Sequence, residues 1–279
     1  MSPADDAPAP SADSAALLPP GALRGLRIGI SIGDSEDLPR LGLSVQHQHL
    51  AVRELARTVL LGGGTLAYGG HLRPGGFTDF LMGELTQYAS SGVLGGGAEP
   101  ALLVCLAWSV HRRSTLTELD QADDQLGDHG RLRCLDPDGR LLADRGAGRD
   151  EVALPPSDPA LSARCLTSLR QHMVGITAAR MLLGGRRVGW GGTMPGIVEE
   201  ALLSMRAGQP LYLAAGLGGA TLDIAATLDP RCATLCGGQS PAALPGLAEI
   251  AARAAGRGLS ALGNGLSDDE NLHLALTHR

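Results

Sequence analysis

The sequence predicts an α/β protein: a doubly wound parallel sheet with helices on both faces and a small hairpin or loop insertion. Three observations point there. Short apolar runs near 26–32, 65–69, 101–109, 187–190 and 210–215 alternate with stretches of helical spacing, the pattern of repeated βα units. Each run ends in glycine or a polar residue. The run ALLVCLAWSV (101–110) is apolar throughout, as in a central parallel strand buried on both faces.

Residues 1–22, rich in Ala, Pro, Ser and Asp, read as a disordered tail, because they hold too little apolar surface to fold. The remainder, 23–279, reads as one domain. LRIGISIGDS (26–35) is its first strand. Ser31, Gly33 and Asp34 read either as a ligand pocket at the end of that strand or as an ordinary passage into a turn. Helix Val45–Leu61 places Leu50, Val52, Leu55, Ala56 and Val59 on its apolar side and stops at Gly62–Gly64. TLAYGG (65–70) is the second strand. Behind it Arg73 stands among Gly69, Gly70, Gly75 and Gly76, before a helix that opens near Phe77. A guanidinium between such glycines suits a phosphate or carboxylate; a solvated loop arginine is the plainer reading.

At the end of the central run, Trp108 either stacks on a base or packs in the core, and His111 reads as structural. The segment 112–160 changes character: a short helix in TLTELDQADDQL, a hairpin in RLRCL-DPDG-RLLAD, then the loop RGAGRDEVALPPSDPA. With few apolar residues it reads as an insertion or lid. A helix over 161–183 buries Leu166, Leu169, Met173, Ile176 and Leu183.

Arg180 to Gly219 organises the chain. VGWGG (188–192) reads as a short strand that stops in glycine. Thr193 caps a helix, Pro195 fits its first turn, and Gly208 closes it. QPLYLAA (209–215) is the next buried strand, and GLGG (216–219) leads at once into a helix over 220–228. A glycine-rich turn between a strand and a helix N-terminus lets backbone N–H groups approach a phosphate. Gly192, Thr193, Met194, Pro195, Gly196, Gly216, Gly218 and Gly219 are therefore candidate ligand contacts. With Arg73 they are expected to converge on one crevice at the carboxyl ends of the strands. PAALPGLAEIAARAAG forms a further helix, and a last one starts at Ser267, capped by that serine and followed by acids.

Composition narrows the function. The 279 residues are 44% hydrophobic and 19% charged, with a net charge of −6. Aromatics are 3%, so the core is built from Leu, Ala, Val and Ile. All 23 residues counted as Lys or Arg are Arg, which excludes a Walker A lysine, a Schiff-base lysine and a Ser–Lys pair. No basic stripe is interleaved with aromatics, which argues against a nucleic-acid partner. No apolar run reaches the roughly 18 residues of a membrane span. The five cysteines (105, 134, 165, 232 and 236) show no C-x-x-C spacing and no completing ligands. They predict no metal site and no cofactor, and an odd number without a secretory signal points to a reducing cytoplasm.

The stretches RIGISIGDS, TLAYGGHLRPGGFTDFL, LLVCLAWSVH and ARMLLGGRRVGWGGTMPGIVEEALLSMRAGQPLYLAAGLGGA together resemble the SLOG superfamily. This Rossmann-like group includes the LOG phosphoribohydrolases, the nucleotide-sensing domains of TRPM-type channels and ligand-sensing domains of bacterial antiphage systems. The resemblance covers most of 25–228, and its last stretch is the distinctive one. LOG enzymes carry a catalytic arginine on a helix, then a loop of the form P-G-G-x-G-T-x-x-E whose acid helps to cleave an N-glycosidic bond. Arg180 lies fifteen residues before Pro195, a spacing similar to that of the LOG arginine, and Glu200 takes the place of the acid. Here Pro195-Gly196 runs straight into Ile197-Val198-Glu199-Glu200, so the G-x-G-T portion that holds a 5′-phosphate in LOG is missing.

Two functions follow from the resemblance. The favoured one is a sensor or signalling module that binds a nucleotide-derived ligand such as ADP-ribose, an NAD-derived species or a nucleoside phosphate. The alternative is an N-glycoside hydrolase, in which Arg180 orients the ligand while Glu199 or Glu200 stabilises an oxocarbenium-like ribose and activates water. Acids in a first helical turn are also favoured by the helix dipole alone. The resemblance further implies a homo-oligomer; no effector protein is identified.

Overall fold

The computed structural model describes residues 19, 21–90, 99–146, 149, 158–236 and 241–276. Most of the tail expected over 1–22, and most of the loop expected over 145–160, lie outside them. Strands β1 (Arg27–Gly33), β2 (Thr65–Gly69), β3 (Leu102–Leu106), β4 (Gly130–Cys134), β5 (Ala179–Gly184) and β6 (Leu211–Ala214) make one sheet. Its order is β4-β3-β2-β1-β5-β6 and every neighbouring pair is parallel. The chain winds outward from β1 to β4, then crosses back to lay β5 on the other side of β1. This is the Rossmann-like, doubly wound arrangement, and its winding reverses between β1 and β5.

The alternation in RIGISIG explains the layers. Ile28, Ile30 and Ile32 point into a core shared with Val52, Ala56 and Val59 of α1 (Val45–Leu61). The same core takes Leu81 and Leu85 of α2 (Phe77–Ser90) and Leu119 and Leu126 of α4 (Leu116–Leu126). Gly29, Ser31 and Gly33 face the other way, where α5 (Pro159–Ile176) and α6 (Gly196–Arg206) lie. There Leu169 and Met173 of α5 pack on Ala67, Leu103 and Cys105. Ile197, Val198 and Leu202 of α6 pack on Leu182 and on α7 (Gly219–Leu228) and α8 (Leu247–Ala254). A short helix α3 (Trp108–His111) follows β3, and α9 (Asp268–Leu276) packs near β6.

Several expectations are corrected. The strand placed at VGWGG is in fact ARMLLG, β5, and residues 188–192 form an irregular loop. Three glycines in five residues give that loop nothing to pack, so it pairs with no strand. The helix expected over 161–183 stops at Ile176, because Thr177 is extended and its hydroxyl donates to the Met173 carbonyl at 2.7 Å. The Gln209 amide then donates to the Thr177 carbonyl at 2.6 Å and hydroxyl at 2.8 Å, fixing the exit from the helix. Consequently Arg180 sits on a central strand and not at a helix end. The strand expected over 101–109 ends at Leu106, where Ala107 caps α3 and puts Trp108 and His111 on a helix. Around Asp136–Gly139 a turn does form, with a bridge between Leu135 and Leu141. Its first arm, however, is β4, which pairs with β3 and completes the sheet. Leu50 is 53% exposed, although the helical spacing placed it inward.

The close seat of α7 against β5 needs a residue without a side chain. Gly219 has φ +66, and a Cβ there would stand 2.5 Å from the Gly185 carbonyl oxygen. Gly83, midway along α2, has open space around a hypothetical Cβ. In urea denaturation, Gly219→Ala is expected to lose at least about 2 kcal/mol. Gly83→Ala is expected to gain about 0.5–1 kcal/mol; equal effects in both would contradict this packing.

Candidate functional site

Where the winding reverses, the chain makes a tight backbone junction. The Gly33 carbonyl accepts the Gly185 N–H at 3.1 Å and the Gln48 side-chain amide at 2.8 Å. A Cβ on Gly33 would lie 2.8 Å from the Gly185 Cα, so neither strand end can carry bulk. A cleft of about 570 Å³ opens above this junction. Gly33 and Gly185 form part of its lining, with Gly70, His71 and Arg73 from the β2–α2 loop. Ser109, Arg113 and Ser114 come from α3 and its exit, Leu166, Leu169 and Arg170 from α5, and Gly196, Ile197 and Glu200 from the start of α6.

Three glycine-rich turns lead from strands into helices here, and their amides meet different fates. Before α2, the Asp79 carboxylate accepts the Gly75 N–H at 2.7 Å. Before α7, the Asp37 carboxylate accepts the Gly219 N–H at 2.8 Å, while Gly218 N–H goes to Ala215. The protein's own acids thus take one amide in each of two turns that the sequence offers to a phosphate, while the Phe77 and Thr78 N–H groups of α2 have no acceptor among the described residues. In helix α6 no acid reaches the turn, and Pro195 is its N-cap, without a side-chain cap bond. Among the described residues no acceptor takes the Gly196, Ile197 or Val198 N–H. A helix start with open amides and a positive dipole end attracts an anion.

The sequence-derived candidates therefore separate. Gly33, Asp34, Gly69, Gly70, Arg73, Gly196 and Glu200 are brought together on the cleft. Gly216, Gly218 and Gly219 are not, because Asp37 closes their turn. Gly75 is held by Asp79, and Gly76 N–H bonds back to the Arg73 carbonyl at 3.1 Å. Trp108 packs on the core under α5, with the Arg112 guanidinium 5.7 Å from its ring centre. Ser31 is buried and accepts from Arg180 Nη1 at 2.9 Å, away from the cleft wall. Gly192 and Pro195 lie beside the wall without lining it, Thr193 is exposed, and Met194 packs into the core of α6 to α8.

The three proposed catalytic residues also part. Arg180 is 1% exposed, with Glu200 Oε1 at 3.7 Å and no partner for its Nε or Nη2 among the described residues. Burial pushes its pKa down, against the upward pull of Glu200. Glu199 is buried and spent on structure: Thr167 Oγ1 donates to it at 2.5 Å and Arg170 pairs with its other oxygen. The arginine on a helix facing the acids is thus Arg170, not Arg180. Glu200 alone of the three lines the cleft.

Residues the sequence did not single out complete the walls: Tyr68, His71, Arg113, Arg170, Arg186 and Trp190. Asp34 is paired with Arg186, whose Nε donates at 2.9 Å. By contrast, neither Arg73 nor Arg113 has a side-chain hydrogen bond or ion pair among the described residues. Burial pushes the His71 pKa down, helped by Arg73 and opposed by Asp34. His111 lies off the cleft, bonded to the Leu135 carbonyl at 2.9 Å, and burial lowers its pKa to about 4. Among the described residues no helix is long and apolar enough to cross a membrane.

A family model described as SLOG cluster2 matches residues 22–274, nearly all of the described fold. No curated protein matches the chain.

The Asp37 plug has a measurable signature. Burial alone would raise its carboxyl, but hydrogen bonds from Arg187, the Gly219 amide and Arg40 outweigh that and hold it at about 2, against 3.8 ordinarily. A folded-state value below the unfolded one stabilises the protein above pH about 4, and that contribution fades as pH falls toward 2. Asp37→Asn is expected to cost on the order of 2 kcal/mol at pH 7 and to flatten the loss of stability between pH 4 and 2. Urea midpoints measured across that range check both.

Proposed function

The chain belongs to the SLOG cluster2 family, and from that premise we propose that it binds a nucleotide-derived phosphate ligand in the cleft above β1 and β5, as a sensing module. One observation carries the reading. Among the described residues the Gly196, Ile197 and Val198 N–H groups at the start of α6 have no acceptor, and Gly196 and Ile197 open onto the cleft at the point where the sheet's winding reverses. In doubly wound sheets ligands bind at that crevice. An anionic oxygen at Gly196 and Ile197 would receive backbone N–H bonds, and Arg73 and Arg113 would supply charge. The remaining lining, with Tyr68, Leu72, Phe77, Val110 and Leu166, is apolar enough for a base and ribose. Binding would be reported through self-association or a partner protein. The buried thiols Cys105, Cys134, Cys165 and Cys232, none of them in a disulfide, fit a reducing cytoplasm.

A second reading, N-glycoside hydrolysis, has its own support in Glu200. Asp34, the other carboxylate on the cleft, is engaged by Arg186, whereas the nearest cation to Glu200 is Arg180 at 3.7 Å. Glu200 sits one turn into α6, beside the open amides. It could stabilise positive charge on a ribose ring and take a proton from an attacking water while the base leaves.

Titration calorimetry and thermal melts with NAD, ADP-ribose, AMP and ribose 5-phosphate test both. A bound ligand at 100 times its dissociation constant adds about 2.7 kcal/mol of stability. Arg73→Ala and Arg113→Ala are each expected to weaken binding about tenfold while leaving the unliganded Tm unchanged. Binding without release of base supports the sensor; release that disappears in Glu200→Gln supports the hydrolase. If none of these compounds binds or is cleaved, both readings fail.

A further inference from the structure

The eleven residues between β5 and α6 are pinned at both ends and free in the middle. At the first end Arg186 pairs with Asp34, and Arg187 holds Asp37 at 2.7 Å and Asp223 at 2.6 Å. At the other end Pro195 is buried and Met194 packs into the core of α6 to α8. Between them Val188–Thr193 makes no hydrogen bond among the described residues. Gly189, Gly191 and Gly192 make up half of it, and Val188 is 69% exposed.

This strap rests lightly along α5. A Cβ on Gly191 would meet Leu166 Cδ1 at 3.4 Å, and one on Gly192 would meet Arg170 Nη1 at 3.0 Å. Backbone lies where side chains would otherwise stand, and Trp190 is turned onto the cleft wall. Trp190 is half-buried and is the tryptophan on the cleft, since Trp108 is taken up by the core and Arg112. Leu166, Leu169 and Val110 give the cleft apolar lining to set against the polar start of α6.

We propose that Trp190 is the specificity-determining residue for the planar base of the ligand, carried on the Val188–Thr193 strap so that its indole closes over the base. This rests on the phosphate-binding reading above: the anion is held at α6 and the base reaches Trp190. A flat indole on a glycine-hinged strap adapts to a base by stacking, which every base offers and a sugar phosphate does not. The strap has no internal bonds to break, so closure costs only the ordering of a short segment.

The test uses the full chain, titrated with AMP, CMP and ribose 5-phosphate. In the wild type the nucleotides are expected to bind about tenfold or more tightly than ribose 5-phosphate. Trp190→Ala is expected to erase that difference without changing ribose 5-phosphate affinity, and Trp190→Phe to keep most of it. In a Trp108→Phe background, Trp190 emission is expected to change with AMP and not with ribose 5-phosphate. Unchanged AMP affinity in Trp190→Ala overturns the inference. Equal wild-type affinity for AMP and ribose 5-phosphate overturns it too, while leaving the anion site intact. If neither compound binds the wild type, the phosphate-binding reading itself fails and takes this inference with it.

Discussion

The contact on which the site depends is a meeting of backbone with backbone. Gly33 and Gly184 stand side by side at the carboxyl ends of β1 and β5, and Gly185 N–H reaches the Gly33 carbonyl. A Cβ on Gly184 would come within 2.3 Å of that same carbonyl oxygen. Two strand ends with side chains would fill the space above the sheet. Two glycines leave it open, and Gln48, a buried polar residue on α1, secures the carbonyl from the other layer. The cleft is a consequence of what these residues lack.

Helix dipoles then divide the labour. Every strand-to-helix turn in such a sheet presents amides and partial positive charge at the same rim. An internal carboxylate reaches its turn without the entropic cost of association, so it competes successfully against any dissolved anion. Asp79 and Asp37 each take one turn amide in this way, and Arg40 and Arg187 neutralise the second acid. What looks in sequence like one repeated motif is in space three different turns: no acid reaches α6, and an acid takes one amide at each of the other two.

The repeated βα pattern, the span of α1 and the starts of α2 and α7 were all legible, because periodicity and glycine stops report local preference directly. The failures share a cause: they turn on contacts made by residues distant in sequence. ARMLLG carries an arginine, so its apolar alternation was masked, and it became a strand through pairing with β1 and β6. VGWGG had a strand's brevity but no partner. Gly218 looked available because Asp37, 181 residues earlier by number, gives no local sign of closing that turn. Arg113 and Trp190 carried no motif, and only the fold brings them to the cleft. The mutual spacing of Arg180 and Pro195 matched the family pattern, yet the helix that the pattern requires carries Arg170.

Arg180 is the costly part of the arrangement. A guanidinium stays charged at any working pH, and burying one whose Nε and Nη2 have no partner among the described residues loses hydration that Ser31 and Glu200 do not fully replace. A leucine could fill the space under α6 without that loss. What the arginine supplies is a positive charge behind Glu200, on a face that Gly29 and Ser31 keep thin enough to admit it. With Glu200 answered from beneath by Arg180, Asp34 by Arg186 and Glu199 by Arg170, the acids around the cleft are balanced by cations of the protein. Among the described residues, Arg73, Arg113 and the first amides of α6 then have no acid paired with them. The surplus is positive and faces the opening, which is the condition for holding an anion.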